Sequence, residues 1–142
     1  MDDADILSRT SLFSMMKKGD LRRIAKGASR HYYTKGEVIM REGDRDGRLF
    51  VILSGRVKVI KNLGTEGERV LQEFRANHFF GEMAVLDDHV RTASVTAEED
   101  AEILSLDQWN LREALEKYPY IAIELLQTLA RRVRAAEARI TD

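Results

Sequence analysis

The chain contains no cysteine, so disulfides, thiol nucleophiles and thiolate metal centres are excluded together. It has no strong charge of either sign. Lys plus Arg number 23 and Asp plus Glu number 24, which leaves a net charge of −1 and no global field for nucleic acid or an anionic membrane. No apolar run approaches membrane-spanning length. The first residues, Met1-Asp2-Asp3-Ala4-Asp5, are acidic and lack the basic-then-apolar pattern of a signal peptide, so a cytoplasmic protein is expected. Histidine is scarce: His31, His78 and His89 show no metal-ligand spacing, and no nucleophile stands beside a base, so no enzyme and no cofactor is expected. What remains is a 142-residue chain that is 33% charged and 44% hydrophobic, the size and balance of one folded domain.

Residues 5–28 read as helical, with Leu12, Phe13, Met15 and Met16 apolar and Asp20 capping a second segment that holds Leu21, Ile24 and Ala25. Lys17, Lys18, Arg22, Arg23 and Lys26 fall on the wet side of it. From Ser29 the period changes to two. Leu49-Phe50-Val51-Ile52-Leu53 is a continuous apolar run of the kind found in a buried strand, whereas Val57 and Val59 alternate with Arg56 and Lys58. Residues 62–68 form a hairpin loop, with Val70, Leu71 and Phe74 on the return strand; Ala93, Val95 and Ala97 then alternate with polar residues, and 101–106 make the last strand. Short strands joined by glycine-rich turns predict an antiparallel roll or sandwich. The turn at Asp44-Arg45-Asp46-Gly47 lacks the full ligand series of a calcium loop.

Helix returns at Asp107, a capping residue, and the single proline, Pro119, suits the first position of a final helix. Along that helix Ala122, Leu126, Leu129, Val133, Ala136 and Ile140 are spaced 4, 3, 4, 3, 4, as in a coiled-coil seam. The seam either packs on the roll or pairs with a second copy. Leu125 supplies another stripe for the body, so pairing through residues 122–140, with a second copy or another protein partner, is expected.

One stretch carries candidate chemistry. Phe79-Phe80 run into Gly81-Glu82-Met83-Ala84, and Arg91-Thr92-Ala93 follow after a short polar break. Gly81 permits a tight turn, and N–H groups that start a helical turn after it suit a small anion. Arg91 offers a planar, permanently charged fork to the same anion and Thr92 a hydroxyl. Glu82 repels an anion but accepts from a neutral donor such as a sugar hydroxyl, or pairs with an arginine. Together they fit a small phosphorylated sugar, although on local chemistry alone such residues are more often scattered surface charges.

In order, Lys35-Gly36-Glu37-Val38-Ile39, Arg41-Glu42-Gly43-Asp44, Leu49-Phe50-Val51-Ile52, Gly55-Arg56-Val57-Lys58-Val59, residues 80–86 and Arg91-Thr92-Ala93-Ser94-Val95 resemble the cyclic nucleotide-binding domain family over nearly the whole chain. The resemblance implies an α+β fold: an antiparallel β-roll of jelly-roll type at 29–107, with a phosphate-binding cassette at 80–93. Helices would flank it at 1–28 and 108–142 as parts of one domain. It implies a cAMP or cGMP sensor without catalysis, cAMP being expected ahead of cGMP. Arg91 would pair with the cyclic phosphate and Glu82 with the ribose 2′-hydroxyl. Gly81 with the N–H groups of Met83 and Ala84 would shape the cradle, which Thr92 and Ala93 complete, and the last helix would close over the base.

The sequence departs from that pattern in places. Asp88, His89 and Val90 stand where the family often has Gly and Pro, and Asp87 and Asp88 oppose an anion. Aligned through Ala130-Arg131-Arg132, Ala135 and Ala136 replace hydroxyls that touch the base, which leaves Arg132 or Arg134 as candidates. No helix-turn-helix follows the long helix, so a stand-alone sensor or a fragment of a longer regulator is expected, without direct DNA or membrane binding. A scaffold domain that has kept the roll and lost the ligand is the alternative.

Overall fold

The computed structural model describes residues 2–87 and 89–141, with the side chains of all of these except 84, 85, 140 and 141. Two helices, α1 (Asp3–Leu7) and α2 (Lys18–Lys26), flank a 3₁₀ turn at Ser11–Phe13. Eight strands follow: β1 (Ala28–Tyr33), β2 (Val38–Met40), β3 (Leu49–Ser54), β4 (Arg56–Lys61), β5 (Arg69–Arg75), β6 (Phe79–Phe80), β7 (Ser94–Ala97) and β8 (Ala101–Leu106). A short helix, α3 (Glu82–Asp87), lies between β6 and β7, and α4 (Gln108–Lys117) and α5 (Pro119–Thr141) end the chain. The strands form two antiparallel four-stranded sheets, ordered β1-β8-β3-β6 and β2-β7-β4-β5.

The run in β3 is continuously apolar because both of its faces are covered. Side chains alternate across a strand, so Phe50 and Ile52 enter the space between the sheets with Phe80, Ile103, Val57, Phe74 and Val95. Leu49 and Val51 point the other way and join Leu104 and Leu106 beneath Leu12, Phe13, Leu21, Leu111, Ile121 and Leu125 of the helical layer. One sheet thus divides two cores. The expected β-roll flanked by helices is the observed architecture.

The helix signals hold where a backbone group needed a partner. Asp107 accepts from the Asn110 N–H at 2.9 Å to cap α4, and Pro119 opens α5. Asp20 is a correction. Lys17 is the N-cap of α2, without a side-chain bond, and Asp20 sits in the first turn, where it accepts from the Tyr118 hydroxyl at 2.7 Å. Met15 is exposed while Met16 is buried. Val70 and Leu71 are largely exposed because β5 is an edge strand whose core side chain is Phe74. All four residues of the central strand β7 are buried, so its alternation does not mark a wet face; Ser94 Oγ is satisfied by the Glu42 N–H at 2.9 Å. His78 is exposed, in an edge contact with the Phe74 ring.

On α5, Ile121 and Leu125 are buried and Leu129 packs half-buried against the same core, at spacings of four. Leu129 therefore belongs to the body face. Leu126 and Val133 of the expected seam are exposed, as is Ile123, and the Ile140 side chain lies outside the described residues. No helix among the described residues is long and apolar enough to cross a membrane.

The two-core arrangement makes β8 a direct test. Leu104→Ala should lower unfolding stability in urea by about 2–5 kcal/mol through loss of buried surface and the cavity left behind. Met15→Ala, at an exposed position, should shift it by less than about 0.5 kcal/mol.

Candidate functional site

Strand β6 delivers the chain to Gly81 beside β3, and the backbone there adopts φ +87°, a conformation that L side chains rarely take. A Cβ at this position would lie 2.9 Å from Arg91 Nη1 and 3.1 Å from the Arg48 carbonyl oxygen. The glycine is thus needed for conformation and for space. Beyond it, α3 begins with Glu82, and Met83 and Ala84 follow in its first turn.

Arg91 is 3% exposed. Its Nη1 donates to the Gly81 carbonyl at 2.7 Å and its Nη2 to the Arg48 carbonyl at 2.6 Å. Asp46 Oδ1 lies 3.7 Å from the same Nη2, and the guanidinium carbon is 5.7 Å from the centre of the Phe50 ring. The Nε–H is buried without a partner. Burial pulls the Arg91 pKa below its ordinary value, and the carboxylates of Asp46 and Glu82 partly offset that. Asp46 also takes a two-pronged contact from Arg48, at 2.9 Å from Nε and 2.7 Å from Nη2. Burial raises its pKa, but the Arg48 bonds and the two arginine charges outweigh burial and hold it below the usual carboxylate value.

Glu82 is 3% exposed and paired to Arg132 of α5, whose Nη1 donates to Glu82 Oε1. Arg132 Nη2 donates to the Phe79 carbonyl at 2.9 Å, and its guanidinium lies 4.9 Å and 5.0 Å from the ring centres of Phe74 and Phe79. The last helix is therefore latched to the glycine-glutamate turn.

Between these groups lies a cavity of about 260 Å³. Of the residues expected from sequence, Gly81, Glu82, Met83, Arg91, Thr92, Ala93 and Arg132 all line it. The Ala84 side chain and Asp88 fall outside the described residues. Thr92 is exposed, and its carbonyl accepts from Lys61 Nζ at 2.7 Å. Arg134 is not brought in. It is exposed and two residues beyond Arg132, about 200° around the helix. Arg139, seven residues beyond Arg132 on the same face, lines the cavity instead, with Nη1 donating to the Leu71 carbonyl at 3.1 Å. That spacing of seven was readable in the sequence. Asp87 and His89 also line the rim, joined by the His89 N–H donating to Asp87 Oδ1 at 3.1 Å. Met40, Val59, Leu71 and Val95 supply an apolar wall. A cation with a spare donor, a carboxylate and an apolar wall can take a small molecule with an anionic end, a hydroxyl and a flat apolar part.

A family model for the cyclic nucleotide-binding domain matches residues 30–118. The chain is 28% identical over 138 residues to a CRP-like cAMP-activated global transcriptional regulator of Mycobacterium tuberculosis, covering 97% of this chain and 62% of that protein. It is 38% identical over 108 residues to a cGMP-dependent protein kinase of Caenorhabditis briggsae, covering 73% of this chain and 14% of that one. The crystal structure of Thermus thermophilus catabolite activator protein superposes with a TM-score of 0.81 at 31% identity, over 93% of this chain and 62% of that chain. The chain thus spans less than two thirds of the length of these relatives.

Gly81→Ala should destabilise the fold by about 1–3 kcal/mol in chemical denaturation, since it forces a strained backbone and a clash with Arg91. Asp46 predicts an acid-side effect. Its folded pKa is lowered from 3.8, so its contribution is complete above that value and is lost as pH falls through the folded one. Asp46→Asn should flatten this acid limb in thermal melts taken between pH 5 and about pH 2.

Proposed function

The chain belongs to the cyclic nucleotide-binding domain family, and we propose that its cleft binds a cyclic 3′,5′-mononucleotide and reports occupancy through α5. The observation that carries this reading is Arg91, a buried guanidinium whose Nε–H has no partner and which faces the same cavity as the buried Glu82. A buried donor without a partner costs about 1–3 kcal/mol, and a cyclic phosphate would satisfy it with charge assistance. N–H groups at the start of α3, at Met83 and Ala84, would complete the cradle, with Thr92 and Ala93 beside it. Glu82 would accept from the ribose 2′-hydroxyl.

The nucleotide we place first is cAMP, ahead of cGMP. The relative named for cAMP aligns over 97% of the chain, against 73% for the kinase named for cGMP, and the base is expected against α5. Arg132 and Arg139 are the groups of α5 that line the cleft at that end.

Arg132 supports the output. It holds Glu82 and the Phe79 carbonyl at once. A ribose hydroxyl that donates to Glu82 competes with or joins that pair, so occupancy changes what anchors α5. Ligand shifts the helix only by its different affinity for the two arrangements. The same pair favours the second reading, a scaffold that retains the roll, because an arginine already satisfies the group that would read the sugar.

Titration calorimetry with cAMP and cGMP separates the two. Binding is expected, and Arg91→Ala should weaken it by about 2 kcal/mol or more, roughly thirtyfold. No heat with either nucleotide at high protein concentration would leave the scaffold reading. Ile123, Leu126 and Val133 form an exposed stripe on α5, which we assign to pairing with a second copy. Light scattering should give a dimer mass for the wild type and a monomer mass for Leu126→Asp; a monomer in both would reject the pairing.

A further inference from the structure

A second cavity of about 630 Å³ adjoins the nucleotide cleft and shares Gln72, Phe74, Arg132 and Arg139 with it. One of its sides is a face of α5. Thr128, Arg131, Ala135 and Arg139 follow one another at spacings of three and four, and Arg132 joins them. Arg9, in the link between α1 and the 3₁₀ turn, closes it from across the groove. Arg9, Arg131 and Arg139 form no ion pair among the described residues. The polar contact of Arg131 is to the neutral Thr128 hydroxyl, at 3.2 Å. Against these cations the lining offers one carboxylate, Glu73.

We propose that this groove binds a soluble linear oligophosphate. Guanidinium groups gathered without counter-charges repel one another, and a polyanion laid among them removes that repulsion. Their planar forks match phosphate oxygens two at a time. Arg131 and Arg139 are eight residues apart, about 12 Å along the helix at 1.5 Å per residue, which suits a chain of phosphates better than one. A protein segment fits less well. The aromatic rings in the wall, Phe74 and Phe79, are buried, so the groove offers no apolar anchor of the kind that dominates peptide docking. The site is tied to the cleft through Arg132, which lines both cavities and holds Glu82. An oligophosphate that draws on Arg132 loosens its grip on Glu82 and so reaches the nucleotide site.

Calorimetry with inorganic tripolyphosphate at constant ionic strength is the test. Saturable one-site binding is expected, weakened at least about tenfold in Arg9→Ala/Arg131→Ala and unchanged in Arg134→Ala, which lies off the groove. Thermal melts matching the wild type would show that the double variant is folded. Absence of saturable heat, or equal loss in Arg134→Ala, would overturn the proposal. Loss in Arg91→Ala with none in the double variant would also overturn it, because the anion would then sit in the nucleotide cleft. Binding of a glutamate-rich peptide without tripolyphosphate would point to a protein partner instead and equally reject it. Cyclic nucleotide titrated into the same preparations reports on the cleft separately, so the two readings fail independently.

Discussion

A charged guanidinium buried at 3% exposure is the constraint on which the rest of the site depends. Arg91 cannot be left there unanswered, because burying an unpaired charge costs several kcal/mol. Two carbonyls answer part of it, one at Gly81 and one at Arg48, just before β3. Those carbonyls reach it only because β6 runs beside β3 and because residue 81 has no Cβ to block the approach. Asp46 adds a carboxylate at 3.7 Å and is itself positioned by Arg48. The β-roll therefore fixes a cation next to a cavity and leaves one of its donors spare.

The second element of the arrangement is the attachment of α5. Its body face, Ile121, Leu125 and Leu129, docks on the helical core, and further along Arg132 crosses to Glu82 between two aromatic rings. The helix is thus held by apolar packing at one end and by a polar latch at the other. Packing is insensitive to a small ligand, whereas the latch competes for the group that would read the sugar. Under the proposed reading this is how occupancy becomes movement, and Arg132, which lines both cavities, is where a second ligand would interfere.

The sequence made the framework readable where one residue type has one physical use. The unbroken apolar run of β3 required burial on both faces, Asp107 required an orphan N–H to cap, and Pro119 fitted only the start of a helix. Gly81, Glu82 and Arg91 were legible as one group, with Arg132 one of two candidates on the last helix, and all four line one cavity. Long-range choices were not legible. Asp20 carries a capping residue's side chain, yet Tyr118, 98 positions away, claims it. Leu129 fits both a coiled-coil seam and the body stripe, and only the seating of α5 decides between them. Arg134 and Arg139 look alike in sequence, but helix phase puts one in solvent and the other at the cleft. Asp46 read only as a turn residue and Arg48 drew no notice, because their importance lies in contacts to Arg91, 43 positions on from Arg48.

Under the proposed reading, the cleft takes a phosphate closed into a ring on its own sugar. Thermal melting with cAMP or cGMP, compared with linear 5′-AMP, tests it most directly, because a ligand that binds only the folded state raises the melting temperature. A rise with a cyclic nucleotide and none with 5′-AMP at equal concentration is the predicted result. An equal rise with 5′-AMP, or no rise with any of the three, would contradict the account.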